Sequence, residues 1–466
     1  MKKEIKVAAA RGDGLGQRLY AIINAIYIAK KLNVDYGFTW SERFVGDKDH
    51  AISLAGEFFS KEYIEDHLIA KEDLAGFKIP GGRGLTKKKL LTPLSNDSVK
   101  GWIATNSHLR NVLATGLLPN DKYNLLDAFN EIKFSDRINE CIEFAKTIEL
   151  PANPVAIHLR AGDVVYGDYR KWGKFVKKTI PISLAKMLVE FFKKKNATVL
   201  VFGQNQGAIK ELAAEHDIIQ VKNLYSHKYT SNIEEAMLDL ILMTRCSEVI
   251  SGASGFALQA SLIGGIPNKS PTDYFSAADI TNYVENDLKK VGEKRYSPLD
   301  VAHGYWFLWS LSRKSVSFES ALGWISLAAA QDSGNPIYPF KKAISLIGLK
   351  SYEAGDMELG KAMLIGGSEE KFNSELFKIL VAKTPPTYLL ESDFKYVHHA
   401  AALGYLNAIA VSAMINLVLG NVAKARSLIT DALLMSPGAA HFVDILRKVI
   451  SAERKKPAKA VPAKFD

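Results

Sequence analysis

The 466-residue chain has only two cysteines, Cys141 and Cys246, too few for a disulfide framework and suited to a reducing compartment. It also lacks a long hydrophobic run. The longest apolar stretch, Leu19 to Ala29, contains Asn24 and falls far short of the roughly 20 residues that a membrane span needs. The start, Met1-Lys2-Lys3-Glu4-Ile5-Lys6, has no apolar segment adequate for a signal peptide. Zinc-ligand spacing, RNA-binding signatures and recognition-helix patterns are missing, which argues against nucleic acid as a partner. These absences lead to the expectation of a soluble, cytoplasmic protein.

What is present is ordinary globular composition, 47% hydrophobic and 24% charged, on a chain long enough for two to four domains. The formal net charge is +10. Lysines cluster at Lys87-Lys88-Lys89, Lys193-Lys194-Lys195 and Lys455-Lys456. Such runs are solvated faces, or they draw the chain toward anionic headgroups and polyphosphate ligands.

Along the chain, residues 4–10 read as a strand that breaks at Arg11-Gly12-Asp13-Gly14-Leu15-Gly16, and a helix follows with Leu19, Ile22, Ile23 and Ile26 on its apolar side. A second strand is expected within Asn33–Trp40, which opens a doubly wound α/β domain over 1–150. Pro80-Gly81-Gly82-Arg83-Gly84 reads as a mobile loop. A second α/β domain spans 151–295, with strands at 155–159, 197–203, 218–221 and 248–251 and helices between them. From 296 to 452 the pattern is helices only. Gly355-Asp356 and Gly420-Asn421 are read as turns, and Gly420, Ala425, Ala432 and Pro437 match the latter half of a tetratricopeptide repeat. Residues 453–466 read as a disordered basic tail.

Three segments carry chemistry. Arg11 to Arg18 is a glycine loop entering a helix, which either cradles an anion or simply makes a tight turn. Val155-Ala156-Ile157-His158-Leu159-Arg160-Ala161-Gly162-Asp163 is a strand that delivers His158 and Arg160 on one face to a Gly-Asp turn. Arg160 offers a fork of donors matched to a diphosphate; the plainer alternative is a surface ion pair. The third segment runs from Asp239 to Phe256. Its Ser251-Gly252-Ala253-Ser254-Gly255 turn opens a helix, and can bind phosphate or merely cap that helix.

In order and spacing the three segments resemble the fucosyltransferase superfamily of α-1,2- and α-1,6-fucosyltransferases and protein O-fucosyltransferases, over about residues 1–290. The resemblance implies an α/β GT-B-like fold, with two Rossmann-like domains facing a cleft and the tetratricopeptide-like helical domain outside the match. It implies that Arg160 holds the donor's β-phosphate and that His158 orients the nucleotide. Asp13 stands where some O-fucosyltransferases carry an acidic base. Gly14, Gly16, Gln17, Arg18, Asp163 and Gly203 fall to the nucleotide-binding surface. So do Asp239, Ser251, Ser254, Gly255 and Phe256, which would form its opposite wall. Ala161, Gly203-Gln204-Asn205, Ala257 and Leu258 depart from the family pattern, so what carries over is a nucleotide-sugar donor rather than one particular sugar.

The function expected is therefore metal-independent, inverting transfer of a sugar, fucose or a relative, from a GDP- or other nucleotide-linked donor. The acceptor would be a glycan or glycolipid hydroxyl in surface polysaccharide synthesis, with peripheral contact at the inner membrane face and no cofactor beyond the donor. Asp47-Lys48-Asp49 has the letters of a metal-binding D-x-D but sits in a polar stretch. Two alternatives stand beside this one. The helical domain could recruit protein partners while the α/β part is a degenerate transferase, or the same fold could move a heptose or pyruvyl unit.

Overall fold

The computed structural model describes residues 4–41, 54–80, 86–105, 125–229, 231–313, 315–365, 375–384 and 387–454. The chain divides into two compact units. The first comprises Met1–Gly162, Lys178–Ile180 and Ala185–Tyr274; the second comprises Asp163–Lys177, Pro181–Leu184 and Phe275–Asp466.

The first unit holds two parallel sheets. In one, β1 (Ile5–Ala9), β2 (Asp35–Phe38), β3 (Phe77–Lys78) and β4 (Gly101–Ala104) lie in the order β2-β1-β4-β3. In the other, β5 (Pro154–Leu159), β6 (Thr198–Gly203), β7 (Ile219–Gln220), β8 (Glu248–Ser251) and β9 (Asn268–Lys269) lie in the order β7-β6-β5-β8-β9. All six residues of β5 are buried, as expected of a central strand covered on both faces, and this is why it reads as an apolar run. The second order reverses once, between β5 and β8, and the first changes direction on either side of the β1–β4 pair. The carboxyl ends of the strands at such reversals are where ligands bind in open α/β sheets.

Helix α1 (Leu15–Leu32) follows β1 and is almost wholly buried. It ends at Asn33, whose left-handed backbone (φ 56°) returns its N–H to the carbonyls of Ala29 and Lys30 and turns the chain into β2. Helices α2 (Asp136–Thr147), α3 (Asn232–Thr244) and α4 (Gly255–Gly264) complete the layer used below. Arg137 of α2 donates to Glu234 of α3, and Arg245 donates to the Ala145 carbonyl. One apolar cluster runs through Leu19, Ile22 and Ile26 of α1, Leu240 and Met243 of α3, and Ala257, Ala260 and Ile263 of α4. Each large side chain in it contributes about 1.5–3 kcal/mol by leaving water.

The second unit is largely helical. Its helices include α5 (Pro298–Ser312), α6 (Phe318–Gln331), α7 (Ile337–Gly348), α8 (Tyr352–Leu364), α9 (Glu391–Ala402), α10 (Leu406–Val418), α11 (Val422–Met435) and α12 (Ala440–Arg454). The expectation of helices alone is corrected by a short antiparallel pair, Lys383–Thr384 with Thr387–Tyr388. On α5 the Trp306 and Trp309 rings stack at 4.7 Å, and Lys341 of α7 is buried against Asp393 of α9. Gly420 does form the turn between α10 and α11, at φ +81°, with Ala425 and Ala432 fully buried beyond it.

Gly355-Asp356 is a second correction, since it lies inside α8 rather than in a turn. A Cβ at Gly355 would sit 2.7 Å from Ile347 Cγ1, so this glycine lets α7 and α8 approach closely. Asp356 accepts from the Asn407 side chain and from the Ala408 N–H, at 3.0 and 2.7 Å, and so caps α10. Gly355 and Gly420 thus occupy different structural positions. Among the described residues no helix is long and apolar enough to cross a membrane. The Lys455-Lys456 run, the rest of the expected tail, Gly81–Gly84 and Asp47-Lys48-Asp49 lie outside the described residues.

Alanine at Gly355 would have to push against Ile347 of α7, 2.7 Å from its Cβ, so the helix contact opposes it. Gly355→Ala is expected to lower the chain's apparent Tm by about 3 °C, the shift that a clash worth about 1 kcal/mol gives at this size. A thermal melt with an unchanged or raised midpoint would contradict the placement.

Candidate active site

The site starts from the loop between β1 and α1. Gly14 is the N-cap of α1, in extended conformation (φ −62°, ψ 162°), and offers no side chain to the helix start. The first turn carries no acidic residue. A Cβ at Gly12 or Gly14 would meet nothing within 4 Å, and neither residue has a positive φ. Among the described residues nothing therefore calls for glycine at these two positions. Their effect is to leave backbone bare on the open side of the loop.

The loop is held from beneath. Arg18, 2% exposed, donates to the carbonyls of Asp13 (2.6 Å), Gly12 (3.1 Å) and Ser41 (2.6 Å) and lies over the Trp40 ring at 5.0 Å. The sequence placed Arg18 on the nucleotide surface. The structure commits its guanidinium to backbone carbonyls, where it fixes the loop's shape. Asp13 points its carboxylate at Arg11, whose Nε lies 3.0 Å from Oδ1 and whose Nη2 donates to Oδ2.

The starts of α1 and α4 abut. A Cβ on Gly16 would sit 2.9 Å from Phe256 Cδ2 and 3.2 Å from Phe256 Cα. One on Gly255 would fall 1.7 Å from Gln17 Nε2. The contact itself demands glycine at Gly16, which faces the Phe256 backbone; at Gly255 the neighbour is the flexible end of Gln17, which can shift. Ser254 caps α4, its hydroxyl oxygen accepting from the Ala257 N–H at 3.4 Å, and α4 also has no acid in its first turn. Elsewhere in the chain, α3 and α5 place Glu234, Glu235 and Asp300 in theirs. Each helix start carries about half a positive charge, so two of them in contact with no acid in either first turn, and the one loop acid, Asp13, paired with Arg11, form an anion-attracting surface.

Strand β5 supplies the third side. His158 pairs in register with Phe202 of β6 and Ser251 of β8, and its ring lies 5.8 Å from that of Phe256. It is 8% exposed, and its buried Nδ1 has no hydrogen-bond partner among the described residues. Burial, and then the charge of Arg160, lower its pKa to about 4, so the imidazole is neutral at pH 7. A neutral ring with an unsatisfied nitrogen can make a hydrogen bond to a ligand but cannot serve as a cation. Arg160 follows on the same face of the strand, partly exposed at its carboxyl end.

The remaining expected residues divide. Gly203, at φ +144°, would drive a Cβ to 2.2 Å from the Leu159 carbonyl oxygen, so its glycine is a backbone requirement beside Arg160. Ser251 donates to the Gly252 carbonyl at 2.8 Å and lies 3.2 Å from Asn268 Oδ1, which braces the serine turn. Asp239 accepts from the Tyr225 hydroxyl at 2.8 Å, and burial pushes its pKa up to about 7. Asp163 lies in the short helix Gly162–Val165 and groups with the second unit. Ala161, which follows Arg160, is buried at 4% exposure.

Sequence reasoning missed Arg11 as a partner, although it immediately precedes the glycine loop, and missed Asn268 and Tyr225, which no motif marks. Among the described residues no group of His, Cys, Asp and Glu is placed to hold a metal ion. A groove of about 760 Å³ lined by Asn33, Tyr36, Tyr63, His67 and Glu131 lies at the end of α1 and start of β2, the opposite end of these elements from the glycine loop.

The two kinds of glycine make a test. Gly14→Ser is expected to stabilise the chain by a few tenths of a kcal/mol by capping α1, and to weaken pyrophosphate binding about tenfold by filling the open side. Gly16→Ala is expected to destabilise it by about 1–3 kcal/mol. Thermal melts and calorimetric titrations of both variants check this, and equal behaviour of the two would refute the distinction.

No family model matches the chain, and no curated protein matches it. Among solved structures, it is similar to fucosyltransferase NodZ from Bradyrhizobium, at 15% identity over 56% of this chain and 93% of that one, with a TM-score of 0.33. It is likewise similar to POFUT1 in complex with GDP-fucose, at 12% identity over 57% of this chain and 98% of that one, with a TM-score of 0.32.

Proposed function

We propose that the chain is a glycosyltransferase that moves a sugar from a nucleotide-linked donor to an acceptor hydroxyl. The observation that carries this reading is the contact between the starts of α1 and α4, neither with an acid in its first turn, through Gly16–Phe256 and Gly255–Gln17. A diphosphate fits that surface by charge. First-turn N–H groups of both helices would donate to it, and Arg160 would add a charged fork.

When the sugar–phosphate bond breaks, negative charge builds on the leaving diphosphate. Arg160 would stabilise that charge, an effect worth about 3 kcal/mol for one well-placed donor. His158, neutral and short of a partner at Nδ1, would orient the ligand by a hydrogen bond rather than by charge. A carboxylate, Asp13 in this reading, would take the proton of the acceptor hydroxyl as its oxygen attacks the anomeric carbon. A single displacement of this kind inverts that centre. Helix starts and arginine would carry the diphosphate's charge, so metal independence belongs to the proposal.

The motif resemblance makes GDP-fucose the first donor to try and a glycan or glycolipid the first acceptor class. A basic chain of this kind suits work at the inner face of a membrane. One observation favours a second reading, an interaction protein with a degenerate transferase unit: the polar groups of Arg18, Ser251, Ser254 and Asp239 are all engaged within the chain.

Titration with GDP, UDP and ADP, followed by a donor panel read by product mass, separates the two. We expect one nucleotide to bind, turnover to survive EDTA, and Arg160→Ala to lower turnover about a hundredfold, the equivalent of roughly 3 kcal/mol. If no nucleotide binds and Arg160→Ala changes nothing, the interaction-protein reading holds instead.

A further inference from the structure

The glycine loop carries an ion pair that its fold does not need. Arg11 grips Asp13 at two points, Nε on Oδ1 at 3.0 Å and Nη2 on Oδ2, across the bare backbone of Gly12. Both side chains are about one-third exposed, at 32% and 36%. A second arginine–carboxylate pair in this unit, Arg137–Glu234, by contrast buries its carboxylate at 5% exposure. Arg18, beneath the same loop, is buried and bound to carbonyls that cannot leave it. Arg11 is thus the arginine of the loop that has an exchangeable partner.

A two-point grip on a carboxylate has the same geometry as a two-point grip on a phosphate. We propose that Arg11 is a second diphosphate-binding cation held in reserve by Asp13. On this proposal the donor's diphosphate draws Arg11 away from Asp13, and the released carboxylate becomes the base for the acceptor hydroxyl. The inference rests on the nucleotide-sugar reading above.

Two features make the exchange feasible. The Asp13 backbone is anchored independently, through Arg18 Nε on its carbonyl at 2.6 Å, so the carboxylate can change rotamer while the loop stays in place. Among the described residues nothing lies within 4 Å of where Cβ atoms on the flanking glycines would be, which leaves room for that rotation. Energetically the exchange is downhill. A partly exposed ion pair contributes little, whereas a diphosphate beside two helix starts brings more charge into the same place.

The chemistry then has an order. With the donor seated, Asp13 accepts the acceptor's hydroxyl proton as that oxygen bonds to the anomeric carbon. The bond from that carbon to the diphosphate oxygen breaks, and its electron pair leaves with the nucleoside diphosphate. Donor binding thereby prepares the base.

The test is calorimetric titration of the full chain with inorganic pyrophosphate and with GDP. Asp13→Asn, which removes the internal competitor, should bind pyrophosphate about two- to fivefold more tightly, the range set by a partly exposed ion pair, while losing transfer. Arg11→Ala should bind about tenfold more weakly, and the double variant should match Arg11→Ala. Asp13→Ser, with thermal melts of each variant, guards against a folding effect. Binding that Asp13→Asn leaves unchanged or weakens overturns the inference, as does tightening that persists without Arg11. If Arg160→Ala abolishes binding while Asp13→Asn is neutral, the nucleotide-sugar reading stands and this inference falls. Failure of the unaltered chain to bind either probe overturns both.

Discussion

Two helix beginnings meet where glycine alone allows them to. The α1 and α4 starts carry charge of the same sign, and Gly16 against Phe256 and Gly255 against Gln17 hold them in van der Waals contact. Left to electrostatics these ends would be the last parts of two helices to touch. They are kept together by the apolar packing behind them, where Leu19, Ile22 and Ile26 share one cluster with Ala257, Ala260 and Ile263. Hydrophobic burial in the first unit thus sustains an electrostatic concentration at its edge, a division of labour that suits an anion site.

The surrounding groups follow from that constraint. Arg18 shapes the loop by binding its carbonyls, and so cannot also bind a ligand. Ser251 and Asn268 brace the turn before α4. Gly203 lets the end of β6 lie against the Leu159 carbonyl, one residue before Arg160. His158, driven neutral by burial, places a hydrogen-bonding nitrogen in the wall without adding a third positive group. Several residues that a motif would place on a ligand are therefore one layer back, supporting the backbone that faces it.

Much of the fold was legible because parallel strands buried on both faces read as unbroken apolar runs, and β5, β6 and β8 lie where those runs are. The strand orders were not legible, since pairing between distant strands leaves no local trace. Gly355 shows the limit of glycine as a signal: a turn and a close helix contact both call for it, and only the neighbouring helix decides which. At the site, the three segments announced themselves by residue type and order. The roles within them did not, because whether Arg18 or Arg11 has an exchangeable partner depends on which carbonyls and carboxylates the loop turns toward each.

A crystal structure of the full chain with GDP tests the central claim most directly. The account predicts the diphosphate seated over the first-turn amides of α1 and α4, in contact with Arg160. A nucleotide bound elsewhere, with those amides untouched, would contradict it.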